Sequence, residues 1–267
     1  MDKESLPKAK RDIQIAFFDV DGTLVDMDSK KITPAVLKTL QDMQKNGIRM
    51  VMATGRGPTA IPHFDGFDFD AYITYNGAYC FQGDHEIYKL PIPAEDVRKL
   101  VENCAAINRP VAIASANWVK TNGADQDLRD YFWISKQTPK IADDFDEACK
   151  QDIYQMMSGG YEDEYEQILK DVDGARITAW WDRALDIVPA SVSKGTAVEK
   201  VLDYFGLQKE QSIAFGDGEN DVELLKAAGH GIAMANANPV LKEAADEICR
   251  SVKEDGVADW WQKNRPC

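Results

Sequence analysis

Short, continuously apolar runs, each ending in a small or acidic residue and most followed by a helical pattern, constrain this chain more than any other feature. Residues 13–18 run into Asp19, Asp21 and Gly22, residues 49–53 into Thr54 and Gly55, residues 71–75 into Asn76 and Gly77, and residues 212–215 into Gly216 and Asp217. Strands without polar alternation are buried on both faces, which marks a parallel sheet covered by helices. The helices are legible as well. Thr33 is placed as an N-cap with Pro34 at the first helical position. Val36, Leu37, Leu40 and Met43 then form one stripe, which Gly47 ends. Residues 194–205 read as a helix stopped by Gly206, residues 221–228 as a helix stopped by Gly229, and Asn238 with Pro239 opens another. The expected fold class is α/β, a doubly wound and mostly parallel sheet.

The middle of the chain has another texture. It reads as a strand at 87–90, a helix at 93–107, a strand at 111–119 and a polar stretch dotted with Tyr131, Phe132 and Trp133. A strand at 153–157, a helix at 162–172 and strands at 176–181 and 184–188 follow. This mixture is expected to be an α+β cap inserted into the first domain. The division is a core domain at 12–82, a cap at 83–189 and the rest of the core at 190–267, with hinges at the two crossings. The first eleven residues are charged and read as loosely held.

Composition narrows the function. A length of 267 residues, 44% hydrophobic and 28% charged, is ample for one large or two modest globular domains. The 45 acidic against 31 basic side chains argue against nucleic acid and anionic membrane as partners. No apolar run approaches the roughly 20 residues of a membrane helix, and residues 13–18 are too short for a signal peptide. Cys80, Cys104, Cys149, Cys249 and Cys267 contain no CxxC pair, which fits reduced thiols and a cytoplasmic protein. His63, His85 and His230 form no close pair, so a histidine-based zinc centre is not expected.

In a parallel α/β sheet, ligands collect beyond the carboxyl ends of the strands. That rule brings Asp19, Asp21, Thr54, Gly55, Asn76, Asp217 and Asp221 to one rim, with Lys194 opening a helix beside them. Several carboxylates so close need a cation, and oxygen donors without histidine favour Mg²⁺, which shares its coordination with phosphate oxygens. Lysine adds a point charge suited to phosphate, and Thr54 with nearby amides can donate to the remaining oxygens. Asp19 would attack phosphorus to form an aspartyl-phosphate. Asp21 would protonate the leaving oxygen and later take a proton from water.

Asp19-Val20-Asp21-Gly22-Thr23, Thr54-Gly55-Arg56, Ser193-Lys194-Gly195 and Gly216-Asp217 through Asn220-Asp221 resemble, in order, the four motifs of the haloacid dehalogenase-like superfamily. Tyr75-Asn76-Gly77-Ala78, the stretch 233–237 and the position of the insertion are similar to its Cof-type sugar-phosphate phosphatases. The resemblance implies a Mg²⁺-dependent phosphatase acting on small phosphomonoesters, sugar phosphates in particular. It implies that Asp19 is nucleophile and metal ligand, and that Asp21 is acid/base and lends its carbonyl to the metal. It further implies that Asp217 ligates the metal, that Thr54, Gly55, Lys194 and Asn220 hold the phosphoryl group, and that Asp221 supports Lys194 or the metal waters. The expected partner is a small phosphorylated metabolite, and the chain a monomer or weak homo-oligomer.

Blander readings stand beside these. Asp19 and Asp21 alone could close an Asx turn, and Asn220 serves equally as N-cap or ligand. A calcium loop at 217–228 fails because Val222 and Ala228 occupy its glycine and glutamate positions. Trp180, Trp181 and the Tyr131–Trp133 cluster read as packing, Trp260 and Trp261 as packing on the sheet, Arg56 as a structural partner, and Lys120 and Arg183 as exposed charges. A phosphomutase and a non-catalytic sugar-phosphate sensor remain the alternatives to a phosphatase.

Overall fold

The computed structural model describes residues 12–134 and 136–265, with backbone alone at 179–181. The strands are β1 (Ile15–Phe18), β2 (Arg49–Ala53), β3 (Ala71–Thr74), β4 (Tyr79–Gln82), β5 (His85–Lys89), β6 (Val111–Ala114) and β7 (Val119–Thr121). They continue with β8 (Gln155–Gly159), β9 (Ala175–Trp181), β10 (Ala184–Pro189), β11 (Ser212–Gly216), β12 (His230–Ala233) and β13 (Glu247–Ile248). The helices are α1 (Pro34–Lys45), α2 (Ala94–Ala106), α3 (Gln126–Ile134), α4 (Phe145–Ala148), α5 (Tyr165–Ile168), α6 (Lys194–Phe205), α7 (Val222–Ala227), α8 (Pro239–Ala244) and α9 (Gly256–Asn264). Two compact units share them. One runs to Gly55, resumes over Pro62–Tyr88 and returns from Ser193; the other takes Arg56–Ile61 and Lys89–Val192.

The first unit is built on an eight-stranded sheet in the order β13-β12-β11-β1-β2-β3-β4-β5. From β13 to β3 all neighbours are parallel, and β4 turns back antiparallel to β3. Every residue of β1 is buried, as its unbroken apolar run requires. Ile15 and Phe17 join a core with Ala197, Val198 and Val201 of α6 and Leu224 of α7. Phe18 instead stacks on Phe215 at 5.3 Å, and Phe215 meets the edge of Trp260 in α9. Burying each such side chain contributes about 1.5–3 kcal/mol. Trp261 Nε1 donates to Asp42 Oδ2 of α1 at 2.7 Å, so both tryptophans pack back onto this unit as expected. Thr33 caps α1 by accepting the Val36 N–H, and Asn238 caps α8 by accepting that of Leu241.

The register matters most for function. Phe18 lies opposite Met52 and Phe215, so Asp19, Thr54 and Asp217 leave neighbouring strands at the same edge.

The second unit carries an antiparallel sheet in the order β7-β6-β8-β10-β9. One face packs Ile113, Met156 and Ile187 against Val97, Leu100 and Cys104 of α2 and Ile168 of α5. Three local expectations are corrected here. The strand expected at 111–119 is a hairpin, because Ser115 N–H donates to the Trp118 carbonyl and β7 turns back on β6. Tyr131, Phe132 and Trp133 belong to α3, which buries Leu128 and Phe132. The helix expected at 162–172 is a 3-10 turn at Glu162–Glu164 followed by the short α5. Lys120 and Arg183 have partners: Lys120 pairs with Asp144, and Arg183 with Asp182. The side chains of Trp180 and Trp181 and the whole of Cys267 lie outside the described residues; Cys80, Cys104, Cys149 and Cys249 are free thiols. No helix among the described residues is long and apolar enough to cross a membrane.

Candidate active site

The carboxyl ends of β1 and β11 and the start of α6 meet at a buried lysine. Ser193 caps α6 by accepting the Thr196 N–H, which fixes Lys194 at the first helical position. The Lys194 side chain is fully buried. Its Nζ donates to Asp19 Oδ1 at 2.7 Å and to Asp221 Oδ1 at 2.6 Å. Asp19 is itself buried, with its backbone N–H donating to the Phe215 carbonyl. The second oxygen of Asp221 accepts the N–H groups of Asp217 and Gly218 at 3.1 and 2.9 Å. Both Asp221 oxygens are therefore committed to holding Lys194 and the Asp217 turn in place. One oxygen each of Asp19, Asp217 and Asp221 lies within 4.8 Å of the others.

Asp217 is held from two sides. Thr23 Oγ1 donates to its Oδ1 at 3.4 Å and Asn236 Nδ2 to its Oδ2 at 3.2 Å. Asn236 Nδ2 also donates to the Gly22 carbonyl at 2.9 Å. Gly22 has φ +93°, and a Cβ there would stand 2.1 Å from Asp217 Oδ2. Glycine is thus required twice over, for the left-handed turn after Asp21 and for the approach of Asp217. Asp21 sits half-buried at the start of that turn, bridged to Val25. Thr54 is buried, its N–H donating to the Ile73 carbonyl. Asn220 does not cap α7; its Nδ2 donates to Asn76 Oδ1 at 3.0 Å, and the Asn76 amide also packs against Gly55.

The residues singled out in the sequence therefore fall into a directly bonded group, Asp19, Lys194, Asp221 and Asp217, and a group gathered round Asn76, namely Thr54, Gly55 and Asn220. Asp21 adjoins the first group, its charge helping to raise the Asp217 pKa. Thr23, Asn236 and the bonding role of Asn76 were not singled out. The strand-end rule had already placed Asn76 on this rim without its partner, and Asn236, just past the carboxyl end of β12, carries the same signal.

Three carboxylates share one ammonium, so the cluster is short of positive charge. Burial raises the Asp19 pKa well above the ordinary 3.8 and the Asp221 charge adds to this, while Lys194 opposes it. Burial, then Asp221, pushes Asp217 up to about 7 against the pull of Lys194. Burial alone would lower the Lys194 pKa, but Asp19 and Asp221 outweigh it and the lysine stays protonated. In chelator, the folded protein then keeps protons that the unfolded chain releases near pH 4. The associated stability is fully present below the unfolded value of 3.8 and is lost as pH rises through about 7. The melting temperature of metal-free protein is expected to fall over that window, and Asp217→Asn to flatten the fall. A melting curve series in chelator checks both; an equal slope in the variant removes Asp217 as a source.

A two-unit α/β chain with a buried lysine among aspartates at the sheet edge is the frame of a phosphoryl-handling hydrolase. The profile of the haloacid dehalogenase-like hydrolases matches residues 16–260, and the chain belongs to that family. YkrA of Bacillus subtilis (strain 168), which carries the word phosphatase in its name, is 31% identical over 92% of this chain and 96% of its own. The solved structure of BT1666, from a study of phosphatases of this superfamily in Bacteroides thetaiotaomicron, superposes with a TM-score of 0.88. It is 28% identical and covers 98% of this chain and 99% of its own. The structure of BT4131, described as a sugar phosphatase of subclass IIB, gives a TM-score of 0.82 at 28% identity over 94% and 98% of the two chains. The Cof-type resemblance read from the motifs is thereby supported, and the enzyme class is phosphoric monoester hydrolase.

Proposed function

We propose that this chain hydrolyses small phosphomonoesters, sugar phosphates among them, with Mg²⁺ and through an aspartyl-phosphate on Asp19. The observation that carries the reading is the Lys194 ammonium clasped by Asp19 and Asp221, with an Asp217 oxygen within 4.8 Å of an oxygen of each of those two carboxylates. The description of BT4131 as a sugar phosphatase supports the substrate class. We also propose the division into a catalytic core at 12–82 and 190–267 and an inserted cap at 83–189.

The site fits a hard divalent cation. Its donors are carboxylate oxygens, and it is short of positive charge, as the raised Asp217 pKa records. Asp19, Asp217 and the Asp21 carbonyl would hold Mg²⁺. When bound, the ion supplies charge neutralisation for the phosphoryl oxygens and for the anion that attacks them.

The residues of the chain account for the remaining steps. Thr54 and the Gly55 amide donate to the phosphoryl oxygens, with Asn220 beside them. Lys194 holds Asp19 in one orientation and offsets phosphate charge. An Asp19 oxygen attacks phosphorus, and the bond to the ester oxygen breaks as the new P–O bond forms. Asp21 gives its proton to the leaving oxygen. A water then attacks phosphorus and passes a proton to Asp21; the Asp19–phosphorus bond breaks, and inorganic phosphate leaves with Asp19 restored.

The test is a panel of phosphorylated metabolites assayed with Mg²⁺ and with chelator. Free inorganic phosphate in the first arm and none in the second is expected. An isomerised sugar phosphate without phosphate release would make the chain a mutase, and binding without turnover would make it a sensor.

A further inference from the structure

Tyr75, Asn76 and Gly77, at the end of β3, form a turn that the steps above leave without a task. Tyr75 and Asn76 have φ of 51° and 55°, two consecutive left-handed residues that are not glycine, followed by Gly77 at 106°. Backbone in this region is costly for a side chain such as tyrosine, and held strain of this kind clusters at functional sites. The turn is over-determined from three directions. The Asn76 N–H donates to the Thr54 carbonyl at 3.1 Å. A Cβ on Gly55 would lie 3.2 Å from both Nδ2 and Oδ1 of Asn76, so only glycine lets that amide lie against the Thr54–Gly55 turn without crowding. A Cβ on Gly77 would lie 2.2 Å from the carbonyl oxygen of Ser193, the residue before Lys194.

The Asn76 side chain is 4% exposed. Its Oδ1 accepts from Asn220 Nδ2, and among the described residues its Nδ2 has no hydrogen-bond partner. The Nδ2 atom itself is not among the fully buried donors left without a partner; it keeps some accessible surface, so it is open to a ligand at this rim. This donor stands among Thr54, Gly55 and Asn220, the residues assigned to the phosphoryl oxygens. We propose that Asn76 is a further phosphoryl-binding residue. Its Nδ2 donates to a non-bridging oxygen, and its Oδ1 fixes the Asn220 amide so that the second Asn220 N–H faces the same group. The proposal rests on the phosphatase reading, since it takes a phosphoryl group as the ligand of this rim.

Two substitutions separate binding from mere support of the turn. Asn76→Asp keeps the shape, the tolerance of positive φ and an acceptor for Asn220, but replaces the donor by an anionic oxygen. Asn76→Gly deletes the amide and leaves the backbone free to turn. Inhibition constants for inorganic phosphate and orthovanadate are measured with Mg²⁺, beside melting temperatures and the KM and kcat for a phosphomonoester. The expected order is a loss of phosphate affinity of roughly 30-fold or more in Asn76→Asp and about tenfold in Asn76→Gly, the scale of a hydrogen bond to a charged group. KM rises with it, and Asn76→Asp melts close to the parental protein. A purely structural residue gives the reverse order, with Asp benign and Gly damaging. That order, or Asn76→Gly within twofold of the parental affinity, overturns the proposal. Should Asn76→Asp fail to fold, the Asn76→Gly constants alone decide. Failure of the phosphatase reading shows separately, as absent phosphate release by the parental protein.

Discussion

Asp19→Asn is expected to lose turnover by roughly 10³-fold or more while melting, in chelator, no lower than the parental protein. The two outcomes have different causes. Asparagine cannot form the acyl phosphate, so the first P–O bond is never exchanged. The same substitution removes one of the crowded negative charges whose mutual repulsion, with burial, raises the Asp19 pKa. Lys194 keeps Asp221 at 2.6 Å, so its ammonium is not left unpaired. Steady-state release of inorganic phosphate and calorimetry in chelator read the two quantities independently. Near-parental, metal-dependent turnover would remove Asp19 as nucleophile. A marked drop in melting temperature would mean instead that the Asp19–Lys194 pair stabilises the fold more than the carboxylate crowding costs.

Lys194→Met is expected to have the opposite balance, with both activity and stability lost. Methionine fills much of the same volume, so the change isolates the charge. Without the ammonium, buried Asp19 and Asp221 have no cation between them, and breaking such a buried arrangement costs about 3–5 kcal/mol. The penalty is expected to be smaller at pH 5 than at pH 8, because the carboxylates can escape by taking protons. Mg²⁺ should recover part of it at pH 8, since a ligand that binds only the folded state stabilises it by mass action. Denaturant unfolding at the two pH values, with and without the ion, checks this. Equal stability of parent and variant at pH 8 in chelator would show that Lys194 does not hold the cluster together.

Much of this arrangement was legible because few physical rules apply at once to the residues concerned. Uninterrupted apolar runs identified β1, β2, β3 and β11 as buried parallel strands, and a parallel sheet has one functional edge. Asp19, Thr54 and Asp217 could therefore be gathered without any knowledge of side-chain directions. Lys194 stood out because it opens a helix beside that edge and brings a point charge suited to phosphate. The hairpin of β6 and β7 was not legible, since Ser115–Trp118 contains neither glycine nor proline to punctuate it. The helix α3 was masked because Leu128 and Phe132 alone mark its buried side. Asn76 and Asn236 show a different limit. Their side chains act on Asn220, Gly22 and Asp217, and the first two of these lie far away in sequence. Position at a strand end tells which edge a residue occupies but not which neighbour its amide will choose.

The place of β1 in the sheet also governs how the protein is made. Ile15 must pair with Arg49 on one side and Ser212 on the other. The first partner leaves the ribosome soon after β1 does, whereas the second lies about three quarters of the chain further on. At roughly 5–20 residues per second, one apolar border of the nascent sheet waits some tens of seconds for β11. During the first part of that interval Asp19 has no Lys194 beside it, so the nascent polypeptide carries an adhesive border and an incomplete carboxylate–lysine cluster.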